Sequence, residues 1–319
     1  MTDVKEQPQT VTGHPYPALR LMELAAPPLR FGRQPSWKTA ALPVEAPLIP
    51  SWQWHACRDF PPGAEIVTLT ENGPYLAALQ SVTIAHGQLH HRGALDYRPA
   101  PADVVPGYYR ITVPQWVFSG TIVSPLGDSA RVESEDALWI AAPTLSLLLE
   151  LEHGGYVGGF EILNAYTAAT SVSFRTWAQA LRANRTQFLD QVEAAHVDKQ
   201  GQPPASCECK PCARYRRFER DVADAFTALL TGSAAGTHRP DWAHTVYAAH
   251  SADMWRKAWR YLGTDRSIVA MPHLDELRVL RNDLQGAMDR REPPFIVDLS
   301  GRTVGSLRVL STGRLEAAL

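Results

Sequence analysis

Residues 64–79, AEIVTLTENGPYLAAL, constrain the fold more than any other stretch, because they hold an apolar strand, an acidic turn and a helix carrying an aromatic in immediate succession. Their companion comes much later, at residues 267–280, SIVAMPHLDELRVL, which read as a strand, a short acidic connection and another strand. Pairing the two segments in one sheet brings Asp275 and Glu276 to the turn at Glu71. Two acidic turns converging on the edges of one sheet are an arrangement able to hold a pair of divalent ions.

With 319 residues the chain can bury a large core, as one large domain or two small ones. A net charge of -2 and a pI near 6.6 place any nucleic-acid contact in local clusters rather than in a global basic field. No run approaches the roughly 18 to 20 apolar residues of a membrane span. The first residues lack a signal-peptide core, so the sequence predicts a cytoplasmic protein with no membrane partner. Three of the four cysteines fall within residues 207–212, a grouping that reads as a metal clip or as free thiols rather than as a disulfide framework.

Residues 1–60 are proline-rich and read as an extended arm that packs Trp37, Trp52 and Trp54 onto the body, with a base-stacking platform as the other reading. Residues 80–106 look irregular, with His86, His90 and His91 in a surface loop that lacks metal-ligand spacing. Strands are predicted at 107–113, 117–123, 137–142 and 156–166, and helices at 145–152 and 174–192. A polar linker at 193–213 precedes a helix over 214–230 that carries Arg214, Arg216, Arg217 and Arg220 in its first two turns. Arginine there is disfavoured by the helix dipole unless an anion is near, so the cluster is either a solvated face or a phosphate contact. A further helix over 240–262 ends with Arg256, Lys257 and Arg260, and strands are predicted at 295–299 and 303–310.

In this order the elements resemble the palm and fingers of family B DNA polymerases, most closely the protein-primed subset. Residues 70–76, TENGPYL, occupy the place of the first polymerase motif, with Asn72 and Tyr75 matching it. Residues 137–185 follow the family's helix, Gly-Tyr strand and basic amphipathic helix. Residues 222–232 are similar to the fingers helix, 267–280 to the Asp-Thr-Asp hairpin, and 303–308 to the strand leading out of the palm. The likeness covers about residues 60–312. It implies an antiparallel palm sheet with packed helices and a helical fingers-like insertion. The division it implies is an arm over 1–60, palm-like parts over 61–135 and 263–319, and a fingers-like region over 136–262. The resemblance takes in the family's palm and fingers alone, and implies neither its exonuclease nor its thumb.

The departures bear on chemistry. Thr70 stands where the family has its first catalytic Asp, and Glu71 is one residue away, a step that reverses a strand side chain's face. The triphosphate-contacting Lys and Asn fall at Asp224 and Ala228, the helix Tyr at Thr231, and one hairpin acid is His273. The resemblance therefore implies a DNA-binding, polymerase-derived protein without templated synthesis, partnered by DNA and other replication proteins in replication or maintenance, for instance of a mobile element. The alternative is an active nucleotidyltransferase in which Glu71, Asp275 and Glu276 hold Mg²⁺, Glu71 and Asp275 being catalytic. Asn72, Tyr75, Arg217, Arg220, Arg256 and Lys257 would then contact nucleotide or DNA. A third reading is a protein-interaction module with a filled cleft. Without metal, Glu71 reads as a cap of the following helix, and Asp275 and Glu276 as turn residues. Cys207, Cys209 and Cys212 supply three zinc ligands, with His196 or His238 as the fourth.

Overall fold

The computed structural model describes residues 45–57, 60–196, 207–231 and 239–315; Trp37, His238 and most of the predicted arm and linker lie outside them. One sheet is built from β1 (Trp54–His55), β2 (Glu65–Glu71), β7 (Ile268–Met271), β8 (Glu276–Leu280) and β9 (Leu307–Arg314), in the order β1-β7-β8-β2-β9, with every pairing antiparallel. A second holds β3 (Thr83–Gly93), β4 (Gly107–Thr112), β5 (Ala137–Ala141) and β6 (Ile162–Ser173) in the order β3-β6-β4-β5, again antiparallel. The helices are α1 (Pro74–Ser81), α2 (Ala130–Ser134), α3 (Ala142–His153), α4 (Arg175–Ala195), α5 (Lys210–Thr231), α6 (Pro240–Leu262) and α7 (Arg281–Met288). The fold is α+β, with a palm-like antiparallel sheet and packed helices.

Strand alternation explains how β2 organises the core. Val67 and Leu69 point to one face, where Leu277, Val279 and Leu307 join them under Trp255, Ala258 and Tyr261 of α6. Thr68 and Thr70 point to the other, opposite Arg278 and Glu276 on β8, with Arg308 beside Thr70 on β9. At the end of β2 the chain turns through Gly73, whose φ of 59° is the left-handed region open to glycine, and Pro74 starts α1. The N-cap of α1 is thus Gly73, with no side-chain cap, so Glu71 does not cap this helix. Helices α1, α4, α5 and α6 enclose a second core around Leu79, Trp177, Phe226 and Trp242.

Five segments differ from the sequence reading, one of them the strand expected over 303–310, which is β9 and begins only at Leu307, after the turn through Gly305. Residues 80–106 contain β3 rather than a loop alone, because Ile84, Ala85 and Leu89 are buried while left-handed Gly87 and Gly93 absorb breaks in its register with β6. Residues 117–123 form no strand; Trp116 and Phe118 pack on Trp259, and Trp116 Nε1 donates to the Ile122 carbonyl at 3.1 Å, which holds a turn. The strand expected over 156–166 begins only at Ile162, after a stretch with four glycines, Gly154, Gly155, Gly158 and Gly159. Residues 295–299 make a single bridge, Val297 to Leu307, instead of a strand. Trp52 and Trp54 pack into the body, their indole N–H groups donating to the His273 and Ser119 carbonyls at 2.7 and 2.9 Å. Among the described residues no helix is long and apolar enough to cross a membrane.

Candidate functional site

The turn between β7 and β8 carries Asp275 to the end of β2. The Thr70 hydroxyl donates to Asp275 Oδ2 at 3.3 Å, and the Glu71 amide donates to the Asp275 carbonyl at 3.2 Å. Glu276 is the register partner of Thr70 on β8 and Arg308 its partner on β9, so all three share a face. Arg278 lies in the neighbouring row opposite Thr68. Burial pushes the Arg308 guanidinium below its ordinary value, against the opposing pull of Tyr215, Glu219 and Asp275. Sequence reasoning missed Arg278 and Arg308. Their signal was available: each is flanked by apolar residues that alternate with it, Leu277 and Val279 in one case, Leu307 and Val309 in the other.

Glu71 takes the opposite face. Only 3% exposed, it accepts from the Lys257 ammonium, itself 6% exposed on α6, and His250 Nδ1 lies 2.8 Å from its other oxygen, off the line of a hydrogen bond. Lys257 also donates to Asp253 at 2.6 Å, one turn earlier on the helix. Burial alone would raise the Asp253 carboxyl, but the charge and hydrogen bond of Lys257 outweigh it and hold the group below its ordinary value. Two divalent ions bridged by shared carboxylates need those acids on one face. Thr70 offers no carboxylate there, and both Glu71 oxygens are turned toward cationic or imidazole partners. This donor set does not fit a magnesium pair.

The other expected contacts are also placed. Asn72 is fully buried; its side-chain amide donates to Ser306 Oγ at 2.9 Å and to the Asp298 carbonyl at 3.2 Å, which ties the β2–α1 turn to residues 298–306. Tyr75 lies among Phe226, Tyr247 and His250 at ring separations of 5.3, 5.3 and 6.0 Å, and burial followed by the neighbouring Tyr247 raises its phenol well above the ordinary value. Arg217 is exposed on α5, 3.7 Å from Asp221, and Arg220 is exposed on the same helix. Arg256 makes a two-pronged pair with Glu150 of α3, at 2.8 and 2.7 Å. A residue with no assigned role in the sequence reading, Arg185, is 1% exposed and donates to Glu219, the Gly301 carbonyl and the Tyr215 hydroxyl at 2.7, 2.6 and 2.8 Å. Its position on an amphipathic helix gave no hint of this, since nothing in the local pattern separates an inward Arg from an outward one.

Where α4 ends and α5 begins, His196, Cys207, Cys209 and Cys212 converge. Their ligand atoms all lie within 4.8 Å of one another, a group that could hold a metal ion. Hydrogen bonds from the Cys209 backbone and thiol pull Cys207 down to about 7, whereas burial pushes Cys212 up to about 12.

No protein-family model and no curated protein sequence matches the chain. Among solved structures, Phi29 DNA polymerase complexed with primer-template DNA and incoming nucleotide substrates superposes with a TM-score of 0.50 and 13% identity, over 81% of this chain and 45% of the polymerase. Its post-translocation binary complex with primer-template DNA gives 0.49 at 11% identity, over 82% and 45%. The likeness is one of fold, and the chain spans under half the length of the polymerase it matches.

Proposed function

We propose that this chain is a polymerase-derived DNA-binding protein that does not carry out templated synthesis. The observation that carries this reading is the Thr70–Asp275 contact. A hydroxyl faces the Asp275 carboxylate at the position where a two-metal mechanism requires a second strand-end acid, and Glu276 is the only other acid that pairs with Thr70 on β8. The acid one residue away, Glu71, is committed to Lys257, so an ammonium supplies inside the fold the positive charge that a cation would otherwise bring.

In this reading residues 61–135 and 263–319 serve as a palm-like base, and 136–262 include the fingers-like hairpin. DNA runs over the face that carries Thr68, Thr70, Arg278 and Arg308, with Arg217 and Arg220 of α5 reaching backbone phosphates. The biological setting is replication or maintenance of DNA, for instance of a mobile element, beside other replication proteins. Zinc at the cysteine cluster is the cofactor of this reading; magnesium at Glu71, Asp275 and Glu276 belongs to the alternative, an active nucleotidyltransferase.

The test measures binding of single-stranded, duplex and primer-template DNA at about 50 and about 200 mM salt, a range over which counterions compete strongly with protein cations for the phosphates, together with labelled-nucleotide incorporation in Mg²⁺ or Mn²⁺. Salt-sensitive binding without incorporation is expected. Incorporation abolished by Asp275→Ala would establish the alternative. A second reading, a protein-interaction module, is favoured by the packing of Tyr75 against Phe226 and Tyr247, which fills the space beside α1 with side chains. Absence of binding to all three DNAs at low salt would leave that reading in place of the first.

A further inference from the structure

We infer that His196, Cys207, Cys209 and Cys212 bind one structural zinc ion, and that this ion locks the connected end of the α4–α5 hairpin, where α4 finishes and α5 begins. His196 Nε2 lies 3.3, 3.3 and 3.2 Å from the sulfurs of Cys207, Cys209 and Cys212. In a tetrahedral site with Zn–N near 2.0–2.1 Å and Zn–S near 2.3 Å, that nitrogen-to-sulfur edge is about 3.6 Å, so closing around an ion requires each donor to move by only a few tenths of an ångström. Three thiolates and one imidazole complete a four-ligand set of the kind that zinc occupies in structural sites, and the softness of sulfur disfavours magnesium or calcium.

The surroundings are those of a built site. Cys212 is completely buried, on a small apolar patch formed by Leu189 and Val192 of α4 and Tyr215 of α5. All three cysteines are free thiols, so no disulfide competes for the sulfurs. Arg216 donates to the Cys207 carbonyl, which places an outer-shell hydrogen bond on the first ligand segment and a positive charge beside a centre that would carry a net charge of about -1 from three thiolates and Zn²⁺.

The ion has a mechanical role that the apolar contacts cannot fill alone. His196 closes the end of α4, Cys207 and Cys209 lie just before α5 and Cys212 in its first turn, so a single ion fastens two helices that otherwise meet at this end over a four-residue apolar patch. Clipping the ends of a connecting segment removes chain entropy from the open state. The clip also fixes Tyr215, whose hydroxyl accepts from Arg185, and through Arg185 it bears on the Gly301 carbonyl in the loop that Asn72 brackets.

The experiment measures zinc by elemental analysis on the full chain purified without a metal-affinity tag, then follows amide hydrogen exchange before and after chelation. About one equivalent of zinc per chain is expected, falling sharply in Cys209→Ser and Cys212→Ser. Cobalt(II) replacement should give the thiolate charge-transfer and ligand-field absorption of a tetrahedral S₃N site. Chelation of wild type should deprotect residues 188–196 and 207–218 while the exchange of β2 and β8 stays unchanged, and this arm does not depend on whether the variants fold. Zinc below about a tenth of an equivalent, or equal zinc in the cysteine variants, overturns the inference. So does chelation that removes zinc without deprotecting the hairpin. No DNA enters the measurement, so its failure is separate from that of the DNA-binding reading.

Discussion

Thr70 donates its hydroxyl to the Asp275 carboxylate across 3.3 Å, joining the end of β2 to the β7–β8 turn through one uncharged and one charged group. Replacing the hydroxyl by a second carboxylate turns an attraction into a like-charge contact. Thr70→Asp is therefore expected to destabilise the protein by roughly 1–3 kcal/mol in chelator, the range of an ordinary disruptive substitution. Added Mg²⁺ should recover part of the loss, because an ion can bridge the new acid to Asp275, whereas in wild type position 70 offers only a hydroxyl. Thermal unfolding of both proteins with and without Mg²⁺ checks this; a variant whose melting temperature ignores the ion would show that the engineered carboxylate does not face Asp275.

The Glu71–Lys257 pair answers to a different measurement. Both groups are buried, so Lys257→Met, which strands the Glu71 carboxylate, should cost about 3–5 kcal/mol, and Glu71→Gln should cost less, because Lys257 keeps its bond to Asp253. The double variant should cost much less than the sum, since an amide and a thioether leave no buried charge uncompensated. Chemical denaturation of the four proteins in the cycle gives the coupling directly, and additive costs would mean that Lys257 is held by Asp253 rather than by Glu71.

Acid sensitivity should concentrate at Asp298. Burial alone would raise this carboxyl, but hydrogen bonds from Ser300 and from the Thr303 amide outweigh it and bring the group from 3.8 to about 2. Ser300 N and Oγ donate to Oδ1 at 2.9 and 2.5 Å, and Thr303 N to Oδ2 at 2.7 Å. A carboxyl with a depressed folded value contributes stability that is complete above its unfolded value and disappears as pH falls through the folded one. The contribution is thus present above about pH 4 and fades toward pH 2. Asp298→Ala should lower stability at neutral pH and flatten this part of the acid limb. A variant that keeps the full wild-type slope between those values would remove Asp298 as its source.

The long, strongly patterned elements were legible because their burial is periodic. The helix expected over 240–262 is α6 to the residue, and the pairing of β2 with β8 follows from two apolar runs that could satisfy their backbones only in one sheet. The site was legible in part. The displacement from Thr70 to Glu71 announced a change of face, and the structure has that change. What the sequence could not convey was where Glu71 goes, because its partner Lys257 lies 186 residues away on a helix end whose cations read as nucleotide or DNA contacts. Local pattern likewise gave no means of telling buried Asn72, which braces a loop, from an exposed Asn that meets a ligand. The candidate metal ligands were partly visible because Cys207, Cys209 and Cys212 are close in sequence, and geometry then picks out His196 among the described residues.

If DNA crosses the palm-like sheet, cations on that face should contribute to binding and cations elsewhere should not. Arg278 and Arg308 share the face of Thr68 and Thr70, while Arg256 is held by both oxygens of Glu150 on another part of the surface. Removing one cation that neutralises a phosphate should reduce the slope of log affinity against log salt by about 0.7 for single strands or 0.9 for duplex. Arg278→Ala and Arg308→Ala are therefore expected to weaken binding and flatten that slope by about one such step each, evenly across sequences because interactions with the DNA backbone give no base readout. Arg256→Ala should leave affinity and slope unchanged, and Arg217→Ala with Arg220→Ala should lower both if α5 overhangs the strand. Fluorescence anisotropy across a salt series on wild type and these variants separates the cases. A loss at Arg256 equal to that at Arg278 would move the DNA off the sheet and toward the surface between α3 and α6.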